Sequence, residues 1–231
     1  MTNPTYYLTT NSAGTAFTGP GYSDGPFLPK GALACTQEQA QNYQAYVPSN
    51  GEIVAAPDSV LLQQAQTAQI ALVTQSYNAA TDYVPVTING LAYQVDNTAG
   101  KQALNLSLAI TANAMMQSPA WTASTEYAAG AYCSVSGVIL FCSTGGKSGA
   151  SAPTPPTAFG IPVTDGTAAW ELLGRKVYLQ GGSFVYMTPQ QILSAFQQGE
   201  LYLHQMSNQL ESLKAEINAA TTVSAVQTFT F

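Results

Sequence analysis

The spacing of apolar residues predicts three long helices. From Pro57 onward apolar side chains recur at helical spacing behind a cap at Asp58 or Ser59, and we expect this helix to be buried on more than one side. A second helix is predicted from Thr98 to about Met116. The third and longest begins at Thr188, with a proline at the first helical position and a glutamine near the capping-box place. A short helix is also predicted over residues 36–43, capped by Thr36.

Strand signals lie between these helices. Asn89-Gly90 joins two alternating runs, residues 84–88 and 91–95, and this dipeptide is typical of a type I′ hairpin turn. Residues 176–186 predict a second strand pair, and the alternation in residues 228–231 predicts a final strand. Between residues 118 and 174 the helical period disappears and short β-rich pieces alternate with turn residues, which predicts an inserted all-β module.

The combined pattern predicts an α+β fold of three parts. Residues 1–56 are punctuated by glycine and proline, so we expect an extended N-terminal docking arm with little regular structure. Residues 57–117 and 175–231 are expected to form a helix-and-hairpin platform with the long C-terminal helix. The small β module, residues 118–174, is expected to project from this platform.

The longest helix carries a heptad-like seam with apolar residues spaced alternately three and four apart, interrupted at Gly199. One interpretation is a helix packed against others of its own domain. The alternative is a parallel, trimeric coiled coil that makes the protein a homo-oligomer. The seam residues are Phe196, Leu203, Met206, Leu210, Leu213 and Ile217.

Composition excludes several classes of function. Only 18 of 231 side chains are charged, with a net charge of -6, and Arg175 is the single arginine, so a nucleic-acid partner is not expected. The apolar fraction of 46% is enough to bury a core, which argues against disorder of the whole chain. No apolar run is long enough to cross a bilayer and the first residues lack a secretory signal, so we expect assembly in a cytoplasm without membrane insertion. Such a weakly charged surface is typical of a protein that functions inside a larger assembly.

The titratable residues predict no catalytic centre, metal site or cofactor. His204 is the only histidine and cannot complete a metal site with Cys35, Cys133 and Cys142. A hairpin turn at Ser136-Gly137 would place Cys133 opposite Leu140, and from this register we expect the sulfurs of Cys133 and Cys142 on opposite faces, as free, buried thiols. Three carboxylates lie close together in sequence, and they leave a polysaccharide-degrading enzyme as a remote alternative: Glu126, Asp165 and Glu171.

Aromatic residues are concentrated in the β module. Some should form a small core, while at least two could remain exposed and stack on a sugar ring. The candidate carbohydrate-binding residues are Trp121, Tyr127, Tyr132, Phe141 and Trp170.

These residues also carry a resemblance. The order Trp121, Tyr127, Tyr132, Phe141, then Ser148-Gly149, Pro153 and Asp165-Gly-Thr-x-x-Trp170 resembles the small chitin-type carbohydrate-binding modules that are widespread in bacteriophage tail proteins. In that family a few exposed aromatic residues bind sugar, while many phage copies are structural decorations. The resemblance covers about 54 residues, and it implies the fold of the module more directly than its activity.

The flanking segments resemble a domain of unknown function from phage tail fibre and tail-fibre-assembly proteins. Residues 65–80 with 86–87, 186–192, and 213–226 carry this resemblance, the last through an Ala-Ala-Thr-Thr-x-x-x-Val element after the long helix. It implies a structural protein of the virion tail that docks on other phage tail proteins and adheres to host surface polysaccharide. The alternative is an assembly chaperone that leaves the particle.

Overall fold

The computed structural model describes residues 5–25 and 27–231, and it confirms an α+β fold. The chain divides into two compact units. The first consists of Met1–Val73 and Ser212–Phe231, and the second is Thr74–Glu211. Among the described residues, no helix combines the length and apolarity that a membrane span requires.

The N-terminal region is folded, so the expectation of an extended arm with little regular structure is wrong. Its first three strands form an antiparallel sheet of order β2-β1-β3: β1 Thr5–Thr10, β2 Phe17–Ser23 and β3 Ala32–Cys35. Helix α1, Gln37–Gln41, begins at Thr36 with a complete capping box, as predicted. A hairpin follows, formed by β4 Tyr46–Ser49 and β5 Glu52–Ala55. Residues 1–4 and Pro26, which belong to the predicted arm, lie outside the described residues.

Two features explain why this region folds. Leu8 on the central strand β1 is completely buried, which gives the small sheet an apolar centre. Asn50 and Gly51 have φ angles of 52° and 83°, the conformation of a type I′ turn, and they close the β4–β5 hairpin.

Helix α2, Asp58–Thr81, is present as predicted, but its burial on more than one side is not. Val73 is its one fully buried residue, and Leu72 is 55% exposed. Gln66 on this helix donates its Nε2 to the carbonyl oxygens of Ile217, Asn218 and Ala220, each at 3.2 Å. These contacts supply a side-chain donor to backbone carbonyls at the C-terminal end of the long helix, where few intrahelical donors remain.

The second unit is centred on a hairpin and the helix that follows it. Strands β6, Tyr83–Ile88, and β7, Leu91–Asp96, are joined by Asn89 and Gly90 at φ angles of 52° and 78°, which confirms the predicted turn. On β6 the side chains alternate between buried and exposed, because one face of the hairpin lies on the core. Helix α3, Ala99–Met116, follows as predicted.

The β module has the predicted all-β structure. One sheet of order β12-β13-β10-β9 and a two-stranded sheet of β11 and β8 make up the module. Its strands are β8 Glu126–Tyr127, β9 Tyr132–Val135, β10 Val138–Thr144, β11 Gly146–Lys147, β12 Val163–Asp165 and β13 Ala168–Leu172.

The remaining elements complete the chain. Strands β14, Arg175–Tyr178, and β15, Phe184–Met187, form the second predicted hairpin, and helix α4 runs from Pro189 to Ala219 behind a capping box of Thr188 and Gln191. The short helix α5 is Val223–Val226. The predicted final strand is wrong: residues 227–231 form no strand, and the Phe229 carbonyl instead accepts a hydrogen bond from Gln69 Nε2 at 2.6 Å.

In the core of the second unit, the β6–β7 and β14–β15 hairpins pack against α3 and α4. Its buried residues come from both hairpins and both helices, and a continuous apolar cluster results. The members are Val84, Val86, Ile88, Ala112, Val177, Met187, Ile192 and Ala195.

The cysteines of the module correct one further expectation. Cys133 pairs with Leu140 across the β9–β10 hairpin, as predicted, but directly opposite residues share a face of a sheet, and so do Leu140 and Cys142 on one strand. The two sulfurs therefore lie on the same face, not on opposite faces. Both thiols are completely buried. They are free, and the two residues are diagonal neighbours and not a directly opposite pair.

The thiols should differ in reactivity. Burial raises the pKa of all three, and that of Cys133 rises to about 11 because the charges of Cys142 and Asp165 add to the effect of burial. Cys35 is only half-buried, so we expect one thiol per native chain to react with a disulfide reagent and all three to react in denaturant. A Cys35→Ser variant serves as the control and should show almost no native reactivity. Rapid native reaction of that variant would contradict the buried placement of the other two.

Candidate functional site

Asp165 is the centre of the polar structure of the module. It lies at the end of β12, is almost fully buried, and accepts hydrogen bonds from both tryptophans of the chain: Trp121 Nε1 at 2.8 Å and Trp170 Nε1 at 3.0 Å, both to Oδ2. The backbone N–H of Gly149 donates to Oδ1 at 2.7 Å. Three donors thus converge on one carboxylate, which orients both indole rings.

A second buried polar residue, Ser148, joins the β8 segment to the same structure. Its Oγ accepts from the backbone N–H of Thr125 at 3.0 Å and donates to the carbonyl oxygen of Thr122 at 2.8 Å. The backbone N–H of Thr122 in turn donates to the Tyr127 hydroxyl at 2.8 Å. The polar residues of the motif are therefore used to connect its strands.

Gly166 is required by the turn between β12 and β13. Its φ angle is +67°, and an added Cβ would overlap the carbonyl oxygen of Lys147 and lie 2.9 Å from the backbone nitrogen of Gly149. Thr167 fixes the same contact from the other side, since its Oγ1 accepts from the Lys147 N–H at 2.8 Å. Asp165, Gly166 and Thr167 thus form one structural unit.

The predicted sugar-binding residues do not share one surface. Trp170 has no exposed area, so its ring cannot stack on a sugar. Trp121 and Tyr127 are half-buried and pack on the buried cluster that contains Trp170. The Tyr127 ring meets the Trp170 ring edge-on with centroids 4.8 Å apart. Tyr132 and Phe141, also half-buried, pack instead on a separate cluster that contains Met115 of α3. The module aromatics therefore serve two cores.

The seam of α4 contributes to packing within the chain. Leu210 and Ile217 are buried, and the other four predicted seam residues are half-buried: Phe196, Leu203, Met206 and Leu213. Leu203 packs on the core of the second unit, and a Cβ on Gly199 would lie 3.3 Å from Cγ1 of Val84. This is the packing that the first of the two interpretations describes for this part of the helix.

An exposed aromatic face was not predicted. Phe184 and Tyr186 on β15 are 47% and 44% exposed and lie beside a groove of about 440 Å³ that also contacts Phe159. The signal was the alternation of strand β15, in which Val185 and Met187 point into the core, so the intervening aromatic residues must point outward.

The titratable groups form no cluster of metal-ligand type among the residues that the structure describes. His204 is exposed, and its Nε2 lies 3.1 Å from Nδ2 of Asn208 on the same helix. Glu171 is half-buried on β13.

No protein-family model, curated protein or solved structure matches this chain. Its function is therefore inferred from its own residues and their geometry.

Proposed function

We propose that the protein is a structural component of the tail of a tailed bacteriophage, which docks on other tail proteins and presents an adhesive surface to host polysaccharide. The observation that carries the docking part of the proposal is an exposed apolar stripe on α3, while the phage tail setting rests on the sequence resemblance. The members of the stripe recur at helical spacing and face solvent, and Ile110 is 63% exposed. The stripe consists of Ala103, Leu106, Ile110 and Ala114.

The stripe has the properties of a docking surface. The only charged residue of α3 is Lys101, near its beginning, so water-exposed apolar area on this helix is not offset by charge. Contiguous exposed apolar surface is uncommon on monomeric proteins and marks interaction sites. The low charge of the whole chain supports the same role, because a subunit of a large assembly needs little charge to stay in solution.

The folded N-terminal region supplies a second contact surface in this proposal. Tyr22 on β2 and Phe27 after it are largely exposed, and Phe27 is the most exposed large apolar residue described. Large aromatic residues are frequent at the centres of protein interfaces. We therefore assign docking to a small β region and not to an extended arm.

The test is mass spectrometry of purified virions, with copy number measured against the major tail protein. We expect the chain at a multiple of three or six copies per particle. An Ile110→Glu variant should be lost from particles, because a carboxylate would be desolvated in the interface. Gln205→Glu, which adds a carboxylate to an exposed position of α4 and not of α3, is the matched control and should be retained.

The same apolar stripe also suits an assembly chaperone, which covers a partner surface before attachment. Abundance in infected cells together with absence from purified particles would replace the structural role with the chaperone role. Retention of the Ile110→Glu variant at normal copy number would remove α3 from the docking surface.

A further inference from the structure

The outer face of the β14–β15 hairpin is an aromatic surface. Tyr186 pairs with Lys176 and Phe184 with Tyr178, so all four side chains share the face opposite the half-buried Val185. Lys176 Nζ lies 4.3 Å from the centroid of the Phe184 ring. Lys176 Nζ also lies 5.9 Å from the centroid of the Tyr186 ring, so the lysine covers the Phe184 ring more closely, and of these two rings only Tyr186 lines the groove.

The rings around Tyr186 are held in fixed positions. Phe184 meets Tyr186 edge-on with centroids 5.7 Å apart, and Phe159 is tilted against it at 5.6 Å. Phe159 in turn lies on Gly174, where an added Cβ would come within 2.5 Å of the ring. A ring that is already ordered loses little entropy when a ligand binds to it.

The groove beside these rings is uncharged. Its lining is mostly aliphatic and includes three aromatic residues, Tyr186, Phe159 and Tyr93. None of the described residues that line it is Asp, Glu, Lys, Arg or His. Neutral hydrogen-bonding groups also line the groove: Asn89, Thr157, Gln190 and Gln191. Asn89, Thr157 and Gln190 are exposed, so their polar groups can reach a ligand.

This combination selects one class of ligand. A charged ligand would lose hydration without meeting an opposite charge among the residues that line the groove, since Lys176 lies over the Phe184 ring and is not one of them. A purely apolar ligand would make no hydrogen bond with the exposed amides and hydroxyl around the groove. A neutral sugar has an apolar ring face for the aromatic rings and hydroxyls for the amides and the threonine.

We propose that the groove beside Tyr186 and Phe159 is a binding site for a neutral oligosaccharide. The inference rests on the adhesive part of the proposed function and moves its site from the module aromatics to the junction of the module with the β14–β15 hairpin. One site of this size gives weak binding, so adhesion would come from many copies on one tail.

The test is saturation-transfer NMR of the full chain with neutral oligosaccharides built from glucose, galactose or N-acetylglucosamine, and with a sialylated oligosaccharide as the charged comparison. We expect binding of a neutral probe and at least tenfold weaker binding of the sialylated one. Tyr186→Ala should weaken binding of the neutral probe at least tenfold, whereas Tyr186→Trp should bind it about as well as the wild type. Tyr22→Ala removes an exposed tyrosine on β2 that does not line the groove, and it should leave sugar binding unchanged.

Three results would overturn the inference: no neutral probe binds, Tyr186→Ala binds as well as the wild type, or Tyr186→Ala loses virion incorporation and keeps sugar binding. The last would identify the groove as a protein interface. Virion incorporation with no sugar binding would reject this inference alone. Sugar binding by a chain absent from virions would reject the tail role and leave the site intact.

Discussion

Replacing Asp165 with alanine should lower the free energy of unfolding by about 4 kcal/mol or more. The change leaves the indole N–H groups of Trp121 and Trp170 and the backbone N–H of Gly149 without their acceptor. Each unsatisfied buried donor costs about 1–3 kcal/mol, and Trp170 is completely buried, so solvent at the protein surface does not contact its N–H group. Because the chain has two tryptophans and both bind Asp165, near-ultraviolet circular dichroism and indole fluorescence report directly on this site.

Chemical denaturation of matched variants separates the hydrogen bonds from the loss of volume. Asp165→Asn keeps the shape and one acceptor oxygen, so its free energy of unfolding should lie between that of the wild type and that of the alanine variant. Glu171→Gln changes a half-buried carboxylate on the neighbouring strand β13 and should cost less than about 1 kcal/mol. If Asp165→Ala unfolds at the same denaturant concentration as Glu171→Gln, Asp165 does not organise the module.

Gly166→Ala should destabilise the protein by about 2–5 kcal/mol. A positive φ angle costs a residue with a Cβ about 1–2 kcal/mol, and forcing an atom into packed surroundings adds about 1–3 kcal/mol. Here the added methyl group would meet backbone atoms of Lys147 and Gly149, which cannot rotate away as a side chain could. Thermal unfolding should therefore shift to a clearly lower temperature.

Gly137→Ala is the matched control for this prediction. Gly137 also has a positive φ angle, +81°, but a Cβ there would meet no atom within 4 Å. Its cost should be limited to the backbone conformation, about 1–2 kcal/mol. Equal losses for the two variants would show that the contact with Lys147 is not tight in solution.

Turn and capping motifs predicted the elements next to them correctly. The Asn89-Gly90 dipeptide and the Thr188 capping box specify backbone geometry by themselves, and both are present in the structure. Asn50-Gly51 carries the same hairpin signal, but it lies in a region rich in glycine and proline. Because that composition favours irregular structure, the strands of this region were not predicted. The predicted final strand is absent, because an alternating run of four residues forms a strand only if a neighbouring strand pairs with it.

The site was harder to predict because burial depends on partners that are distant in sequence. Trp121 and Trp170 are recognisable as binding candidates, but the carboxylate that holds Trp121 lies 44 residues away. The exposed rings of Phe184 and Tyr186 follow from the alternation of β15 alone. Their neighbour Phe159 comes from an irregular segment, whose position only the folded chain fixes.

The placement of Cys133 and Cys142 has a consequence for where the protein can work. Both sulfurs are buried next to each other in the module core without a covalent bond, and neither is accessible to an oxidant. The module holds its shape without a cross-link that a reductant could open or a thiol that air could modify. Its fold is therefore indifferent to redox conditions and should be the same in reducing and oxidising surroundings.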